Sequence, residues 1–171
     1  DLEKILPANG PSINEVKKYI NKYLGEIIVI KCGGSVLLDK NLFKQFIEDV
    51  SVIFKLGLSS IVVHGGGKNI KKKLDNLNIE SKFIDGLRVT DERTIKVVEE
   101  ALLELNAEII NDVNNMQANA ESVAPQKNNV IKIKPERQKL GYVGSPKEVD
   151  SKILLKIIKE KKIPIMVPMG I

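Results

Sequence analysis

The chain has 171 residues, with 27 Lys and Arg against 22 Asp and Glu and a formal net charge of +5. This length suits about one domain, and a hydrophobic content of 43% is too high for a disordered chain. Cys32 is the only cysteine, which excludes an internal disulfide framework and fits a reducing compartment such as the cytoplasm, and no apolar run is long enough to cross a membrane.

The basic charge balance does not by itself indicate a nucleic-acid-binding protein. The lysines are dispersed, and the two dense runs, 71–73 and 159–162, fall on or beside predicted helices, where a solvated polar face explains them. Aromatic residues make up 4% of the chain and Trp is absent, which leaves little material for base stacking. We therefore expect no nucleic-acid partner.

Residues 1–25 are predicted to form an N-terminal arm and a helix. Residues 1–11 contain prolines and a glycine and are expected to be a loose arm. Ser12 and Glu15 have the spacing of a capping box, and apolar residues continue at helical spacing until Gly25. This helix either packs on its own domain or serves as a partner-binding arm. Because the first residue is Asp rather than Met, we expect a processed or partial chain.

From residue 26 onward, predicted strands and helices alternate. The β-branched run 27–30 is typical of a strand buried on both faces, and 61–64 resembles it. This order predicts an α/β lobe over 26–171, with a mainly parallel open sheet sandwiched by helices. The other predicted elements are helices at 39–56, 68–77, 91–116 and 148–162, an extended segment with a turn at 83–90, strands at 122–124, 130–133 and 165–167, and a turn at 141–144.

Two of the predicted strands end in glycine-rich turns that lead into helices. We call them the first glycine turn (31–34, Lys-Cys-Gly-Gly) and the second glycine turn (64–67, His-Gly-Gly-Gly). In parallel α/β sheets, ligands bind beyond the carboxyl ends of the strands, and glycine amides at helix N-termini favour anions. Lys31 adds a cation. Together the turns predict a cradle for a phosphate or carboxylate, although either alone could be a tight turn, and neither fits the P-loop or dinucleotide patterns.

Three further side chains are candidates for chemistry. Arg88 is one of only three arginines beside 24 lysines, and its planar fork suits a carboxylate, with a structural salt bridge as the alternative. His64, the only histidine, could be a general base, but its place at the end of a buried strand favours a hydrogen-bonded structural role. Cys32 is expected to be a small buried filler. No His or Cys spacing indicates a metal site.

Four segments together resemble the N-acetylglutamate kinases of the amino-acid kinase family. They are 28–34, 62–67, 86–91 (Gly-Leu-Arg-Val-Thr-Asp) and 140–144, and the resemblance covers about residues 13–171. It is to the N-terminal, substrate-binding lobe. The resemblance implies phosphoryl transfer from ATP, used with Mg²⁺, to the side-chain carboxylate of N-acetyl-L-glutamate in arginine biosynthesis.

The resemblance also implies roles for individual residues and for the assembly. Lys31 would be catalytic and stabilise the transferring phosphoryl group. Arg88 would bind the α-carboxylate of acetylglutamate. The remaining implied site residues are glycines: Gly66 and Gly67 for substrate, and Gly33, Gly34 and Gly65 for phosphate. The helix at 91–116 would form a homodimer interface, and the N-terminal helix would link dimers into a hexamer.

The sequence departs from the family at several points. Lys68 stands where the family has Pro, 124–129 replaces a usual glycine-rich segment, and nothing in the chain matches the family's nucleotide-binding lobe. We therefore expect the chain alone to be inactive. Two alternatives remain open: a kinase of the same family acting on an acetylated or carrier-bound aminoadipate, or a non-catalytic module that binds a carboxylate or dimerises.

Overall fold

The computed structural model describes residues 1–171 and is built around one four-stranded parallel sheet. Two antiparallel hairpins lie outside this sheet. In sheet order, the strands are β1 (Ile27–Cys32), β2 (Ser59–His64), β8 (Ile163–Met166) and β5 (Ala120–Val123); the hairpins are β3 (Phe83–Ile84) with β4 (Leu87–Arg88), and β6 (Ile131–Pro135) with β7 (Gly144–Val149).

Helices cover both faces of the parallel sheet, as the alternating pattern predicts. The side chains of α4 and α6 pack with Val62 and Ile165 on one face, and those of α7 pack with Ile61 and Met166 on the other. No helix is long and apolar enough to span a membrane. The helices are α1 (Leu2–Ile5), α2 (Ile13–Tyr23), α3 (Gly34–Leu38), α4 (Lys40–Lys55), α5 (Gly67–Asn76), α6 (Glu92–Asn115) and α7 (Ser151–Lys159).

The prediction that β1 is buried on both faces is wrong. Strand β1 lies at the edge of the sheet and pairs only with β2, and its side chains alternate between exposed and partly buried until Cys32. Val29 is 64% exposed. A run of β-branched residues indicates a strand, but it does not show which faces of that strand other elements cover.

Other boundaries also differ from the sequence prediction. The expected loose arm contains the short helix α1, and α3 is an additional helix before α4. Glu148 and Val149, predicted to start a helix, belong to β7, where Val149 pairs with Ile131. The helix starts later because the carboxylate of Asp150 accepts a hydrogen bond from the amide of Lys152 and caps α7.

The N-terminal helix α2 has the predicted capping box. The Ser12 hydroxyl accepts from the Glu15 amide, and the Glu15 carboxylate accepts from the Ser12 amide. Val16 is the only buried residue of α2, and Tyr19 is exposed. The helix therefore buries little of its surface against the rest of the lobe, and the apolar ring of Tyr19 stays accessible to solvent.

Candidate active site

The two glycine turns lie side by side at the carboxyl edge of the sheet. In the parallel register of β1 and β2, Cys32 is opposite His64, and the Gly65 amide donates to the Cys32 carbonyl at 3.0 Å. The first turn leads into α3, with Gly33 as N-cap, and the second leads into α5, with Gly66 as N-cap. The predicted juxtaposition is therefore present.

A cavity of about 540 Å³ opens beside the second glycine turn. Of the predicted site residues, Gly66, Gly67 and Arg88 line it. Lys31, Gly33, Gly34 and Gly65 do not line it; they lie next to it, at the ends of β1 and β2. The predicted residues thus fall into two neighbouring groups: Gly66, Gly67 and Arg88 at the cavity, and Lys31, Gly33, Gly34 and Gly65 beside it.

The amides at the start of α5 are available to a ligand. Neither the Gly66 N–H nor the Gly67 N–H donates a hydrogen bond within the chain, and the cap residue Gly66 has no side chain to satisfy them. Open amides at a helix N-terminus carry a partial positive charge. Because Gly66 and Gly67 both line the cavity, this end of it favours an anion.

The guanidinium of Arg88 is held in place without any carboxylate partner. Its Nη1 donates to the Ser81 hydroxyl at 2.7 Å, and the Phe83 ring lies under it, 4.7 Å from ring centroid to Cζ. Burial lowers the pKa of Arg88, while the charge of Asp75 raises it. The salt-bridge alternative for Arg88 is wrong, and the cavity is left with one fixed cation and no acidic side chain in its lining.

Two sequence motifs that are far apart in the chain meet at Thr90. The Thr90 amide donates to the Leu140 carbonyl at 2.8 Å, and the Thr90 carbonyl accepts from the Tyr142 amide at 2.7 Å. Gly141, between them, has φ +67° and lies directly against the Thr90 carbonyl. These bonds bring the loop 140–144 onto the hairpin that carries Arg88.

We expect Gly141→Ala to destabilise the protein strongly. A Cβ at this position would collide with the Thr90 carbonyl, a backbone group that cannot move without losing its bond from Tyr142. We expect a loss of about 3 kcal/mol or more in the free energy of unfolding, measured in urea. Gly86→Ala is the matched control, because Gly86 has φ +79° but open space around it, so only about 1–2 kcal/mol should be lost. Equal losses would contradict the proposed contact.

Lys31 and Lys68 place two cations near the glycine turns. Lys31 is exposed and forms no ion pair within the chain. Lys68 is exposed in the first turn of α5, and its stem lies beside Gly34, with Cγ 3.9 Å from where a Cβ of residue 34 would stand. The surroundings of the first glycine turn are therefore positive as well.

His64 and Cys32 have the structural roles that the sequence favours. His64 is 1% exposed, and both ring nitrogens are hydrogen-bonded, Nδ1 to the Gly65 carbonyl and Nε2 to Asn106. No ring nitrogen is left to take a proton from a ligand. Cys32 is buried, which raises the pKa of its thiol and keeps it protonated.

Burial lowers the pKa of His64, against a smaller opposing effect of its bond to Gly65. As the pH falls below about 6.5, His64 becomes protonated in the unfolded chain but stays neutral in the folded chain. We therefore expect the free energy of unfolding to decrease below this pH, by at most about 1.4 kcal/mol per pH unit. Urea unfolding between pH 7.5 and 5 measures this slope. The variant His64→Asn should show a flatter dependence; an unchanged slope would assign the effect to other groups.

Several site residues escape prediction from the sequence. Ser81 and Phe83, which hold Arg88, carry no signal beyond their proximity to it in the chain. Asn106 lies in the middle of α6, where an isolated Asn among apolar residues is the one available clue. The apolar wall of the cavity comes from distant segments and includes Val98, Leu102, Ile133, Tyr142, Val143 and Met169.

Fold and site together define an open α/β lobe whose sheet edge carries the two glycine turns and a cavity with free amides and one arginine. The model of the amino acid kinase family matches residues 26–171. The chain therefore belongs to the amino acid kinase family.

Similar proteins agree with this assignment. Acetylglutamate kinase of Pelagibacter ubique is 50% identical over 171 residues, which is 100% of this chain and 59% of that protein. Acetylglutamate kinase of Thermoanaerobacter pseudethanolicus is 38% identical over 164 residues, covering 94% of this chain and 55% of that protein. The chain thus spans less than two thirds of the length of these relatives.

Solved structures show the same fold. The structure of smu.665 from Streptococcus mutans superposes with a TM-score of 0.75 at 25% identity and covers 84% of this chain and 59% of that one. N-acetylglutamate synthase from Neisseria gonorrhoeae, solved with coenzyme A and N-acetyl-glutamate, superposes with a TM-score of 0.78. Its identity is 18%, over 94% of this chain and 38% of that one, so it supports the fold alone.

Proposed function

We propose that this chain is the acetylglutamate-binding lobe of a kinase that phosphorylates the side-chain carboxylate of N-acetyl-L-glutamate, a step of arginine biosynthesis. The observation that carries the proposal is Arg88, a partly buried cation without a carboxylate partner, at a cavity that also has the free amides of Gly66 and Gly67. The names of the relatives that match most of the chain supply the substrate.

The substrate's chemistry matches the distribution of groups in the cavity. Acetylglutamate has two carboxylates and a small apolar acetyl group. We assign its α-carboxylate to the fork of Arg88 and its side-chain carboxylate to the amides of Gly66 and Gly67. The acetyl group would then contact the apolar wall near Leu102 and Met169.

The proposed reaction needs positioning and positive charge rather than covalent catalysis. An oxygen of the side-chain carboxylate attacks the γ-phosphorus of ATP, the bond from that phosphorus to the β,γ-bridging oxygen breaks, and ADP leaves. Negative charge spreads over the phosphoryl oxygens during this transfer. We assign its stabilisation to Lys31 and to the amides of Gly33, Gly34 and Gly65, which lie beside the cavity.

The residues of this lobe suit phosphate better than a metal ion. No group of three or more His, Cys, Asp or Glu residues is placed to hold a metal, and the cavity lining has no acidic side chain. We therefore assign Mg²⁺ to the phosphates of ATP and to parts of the enzyme outside this lobe.

We also propose a homodimer through α6, and a hexamer in which α2 links the dimers. The exposed side chains of Tyr19 in α2 and of Leu24 just after it support the second contact. The single unpaired cysteine supports a cytoplasmic location.

The test uses a completed enzyme, in which this chain is joined to the part of the Pelagibacter ubique relative that lies outside the match. We expect ATP-dependent acyl phosphate formation with N-acetyl-L-glutamate, trapped by hydroxylamine, and a lower kcat/KM with N-acetyl-L-α-aminoadipate, which is one methylene longer. The 171-residue chain alone should form no acyl phosphate. Faster turnover of the aminoadipate would favour the alternative substrate.

A further inference from the structure

We propose that His64 and Asn106 are positioning residues that fix the Gly65–Gly66 peptide so that the Gly66 N–H faces the substrate. This inference deepens the proposed function and rests on it. The two side chains do not touch the cavity; they act from beneath the second glycine turn. No sequence motif marks Asn106 for such a role.

The contacts run from the core to the turn. Asn106 is 2% exposed, and its Nδ2 lies 3.1 Å from Nε2 of His64. On the other side of the ring, Nδ1 of His64 lies 2.8 Å from the Gly65 carbonyl oxygen. A continuous hydrogen-bonded path therefore joins α6 to the glycine turn.

The surroundings of Asn106 decide which ring nitrogen of His64 carries the proton. The carbonyl of Ile165 can only accept, so the Asn106 group that faces it at 3.0 Å is the amide NH₂. The same NH₂ faces Nε2 of His64, which must then accept. The proton of a neutral His64 is therefore on Nδ1, where it donates to the Gly65 carbonyl.

Asn106 is itself held from a third side. The Ser122 hydroxyl donates to Oδ1 of Asn106 at 2.6 Å. The amide plane is thus tied to β2 through His64, to β8 through Ile165 and to β5 through Ser122. This explains why a polar side chain is tolerated in the middle of a buried helix face, because all its bonding groups have partners.

Fixing the Gly65 carbonyl fixes the Gly66 amide. In a trans peptide the C=O and the following N–H point in opposite directions. The Gly65 carbonyl points at the buried ring of His64, so the Gly66 N–H points away from it, and Gly66 lines the cavity. Glycines on both sides give this peptide little preference of its own, so the donor from His64 sets its direction.

Two variants of His64 distinguish a positioning role of this residue from a purely structural role. In His64→Asn, the side-chain NH₂ reaches the place of Nδ1 and can still donate to the Gly65 carbonyl. In His64→Gln, the longer side chain reaches the place of Nε2, so it can meet Asn106 but not Gly65. Both remove the ring, but His64→Asn leaves the larger void because Asn is one methylene shorter than Gln. A purely structural role therefore predicts that His64→Asn binds the ligand no better than His64→Gln.

The experiment measures N-acetyl-L-glutamate binding to the 171-residue chain by calorimetry, with the urea unfolding midpoint of each variant. We expect His64→Gln to raise Kd by about tenfold and His64→Asn to stay within about threefold of the original protein, although His64→Asn introduces the smaller residue. Equal Kd values for the two variants, or the reverse order, would overturn the positioning role. Absence of binding to the unaltered chain would instead count against the proposed function.

The protonation of His64 can also be measured in the unaltered protein, so this test does not depend on the stability of the variants. In ¹⁵N-histidine-labelled protein at pH 7.5, NMR shifts distinguish a protonated from an unprotonated ring nitrogen. We expect a proton on Nδ1 of His64 and none on Nε2, whether or not the chain binds acetylglutamate. A proton on Nε2 would contradict the hydrogen-bonded path from Asn106 through His64 to the Gly65 carbonyl.

Discussion

Lys31→Ala in the completed enzyme is expected to lower kcat by about 10²–10³-fold while changing KM for N-acetyl-L-glutamate only a few-fold. Lys31 is the penultimate residue of the edge strand β1 and the first residue of the first glycine turn. It is exposed and has no carboxylate partner in the chain. Its ammonium is therefore available for charge that develops on the phosphoryl oxygens, and it does not line the substrate cavity.

Lys68→Ala is the matched control for Lys31. Lys68 is also an exposed lysine close to the first glycine turn, but it is in the first turn of α5 and is predicted only to add long-range positive charge. We expect its loss to change kcat by less than about fivefold. An unchanged rate in Lys31→Ala would support the non-catalytic alternative. A larger effect of Lys68→Ala than of Lys31→Ala would assign stabilisation of the phosphoryl group to Lys68 instead.

Arg88→Lys and Arg88→Ala are expected to weaken the binding of N-acetyl-L-glutamate by about 10–100-fold, measured by calorimetry on the 171-residue chain. The lysine variant keeps the charge but loses the planar fork, the bond to Ser81 and the stacking on Phe83. We therefore expect it to recover little of the lost affinity.

Arg93→Ala is the control for Arg88. Arg93 is exposed in the first turn of α6 and does not line the cavity. Its removal changes the net charge as much as Arg88→Ala does, so long-range attraction affects both variants equally. A Kd within about twofold of the original value is expected for Arg93→Ala. If both arginine variants bind equally weakly, the α-carboxylate is not held by Arg88.

The sequence was sufficient to predict the α/β fold and the adjacency of the glycine turns. Both follow from local patterns: β-branched runs, helical spacing, and Gly where a strand meets a helix. Parallel pairing then places the two turns at one edge, because carboxyl ends of parallel strands share an edge. The same patterns could not tell that β1 is an edge strand, since its neighbours are decided by topology.

The parts of the site that escaped prediction depend on contacts between distant residues. Gly141 needs its conformation because Thr90 lies against it, about fifty positions earlier in the chain. Asn106 is informative only once His64, Ile165 and Ser122 are seen around it. Glu148 and Val149 fit a helical pattern, but pairing with β6 makes them a strand. In each case tertiary contacts override a local preference.

The most direct test of the central claim is the binding of two matched ligands to the 171-residue chain. N-acetyl-L-glutamate and its α-amide, which keeps the side-chain carboxylate but lacks the α-carboxylate, are titrated by calorimetry into the original protein and into Arg88→Ala. We predict that the original protein prefers the acid by at least about tenfold and that Arg88→Ala binds both ligands equally weakly. Equal affinity of the original protein for acid and amide would contradict the assignment of the cavity to acetylglutamate.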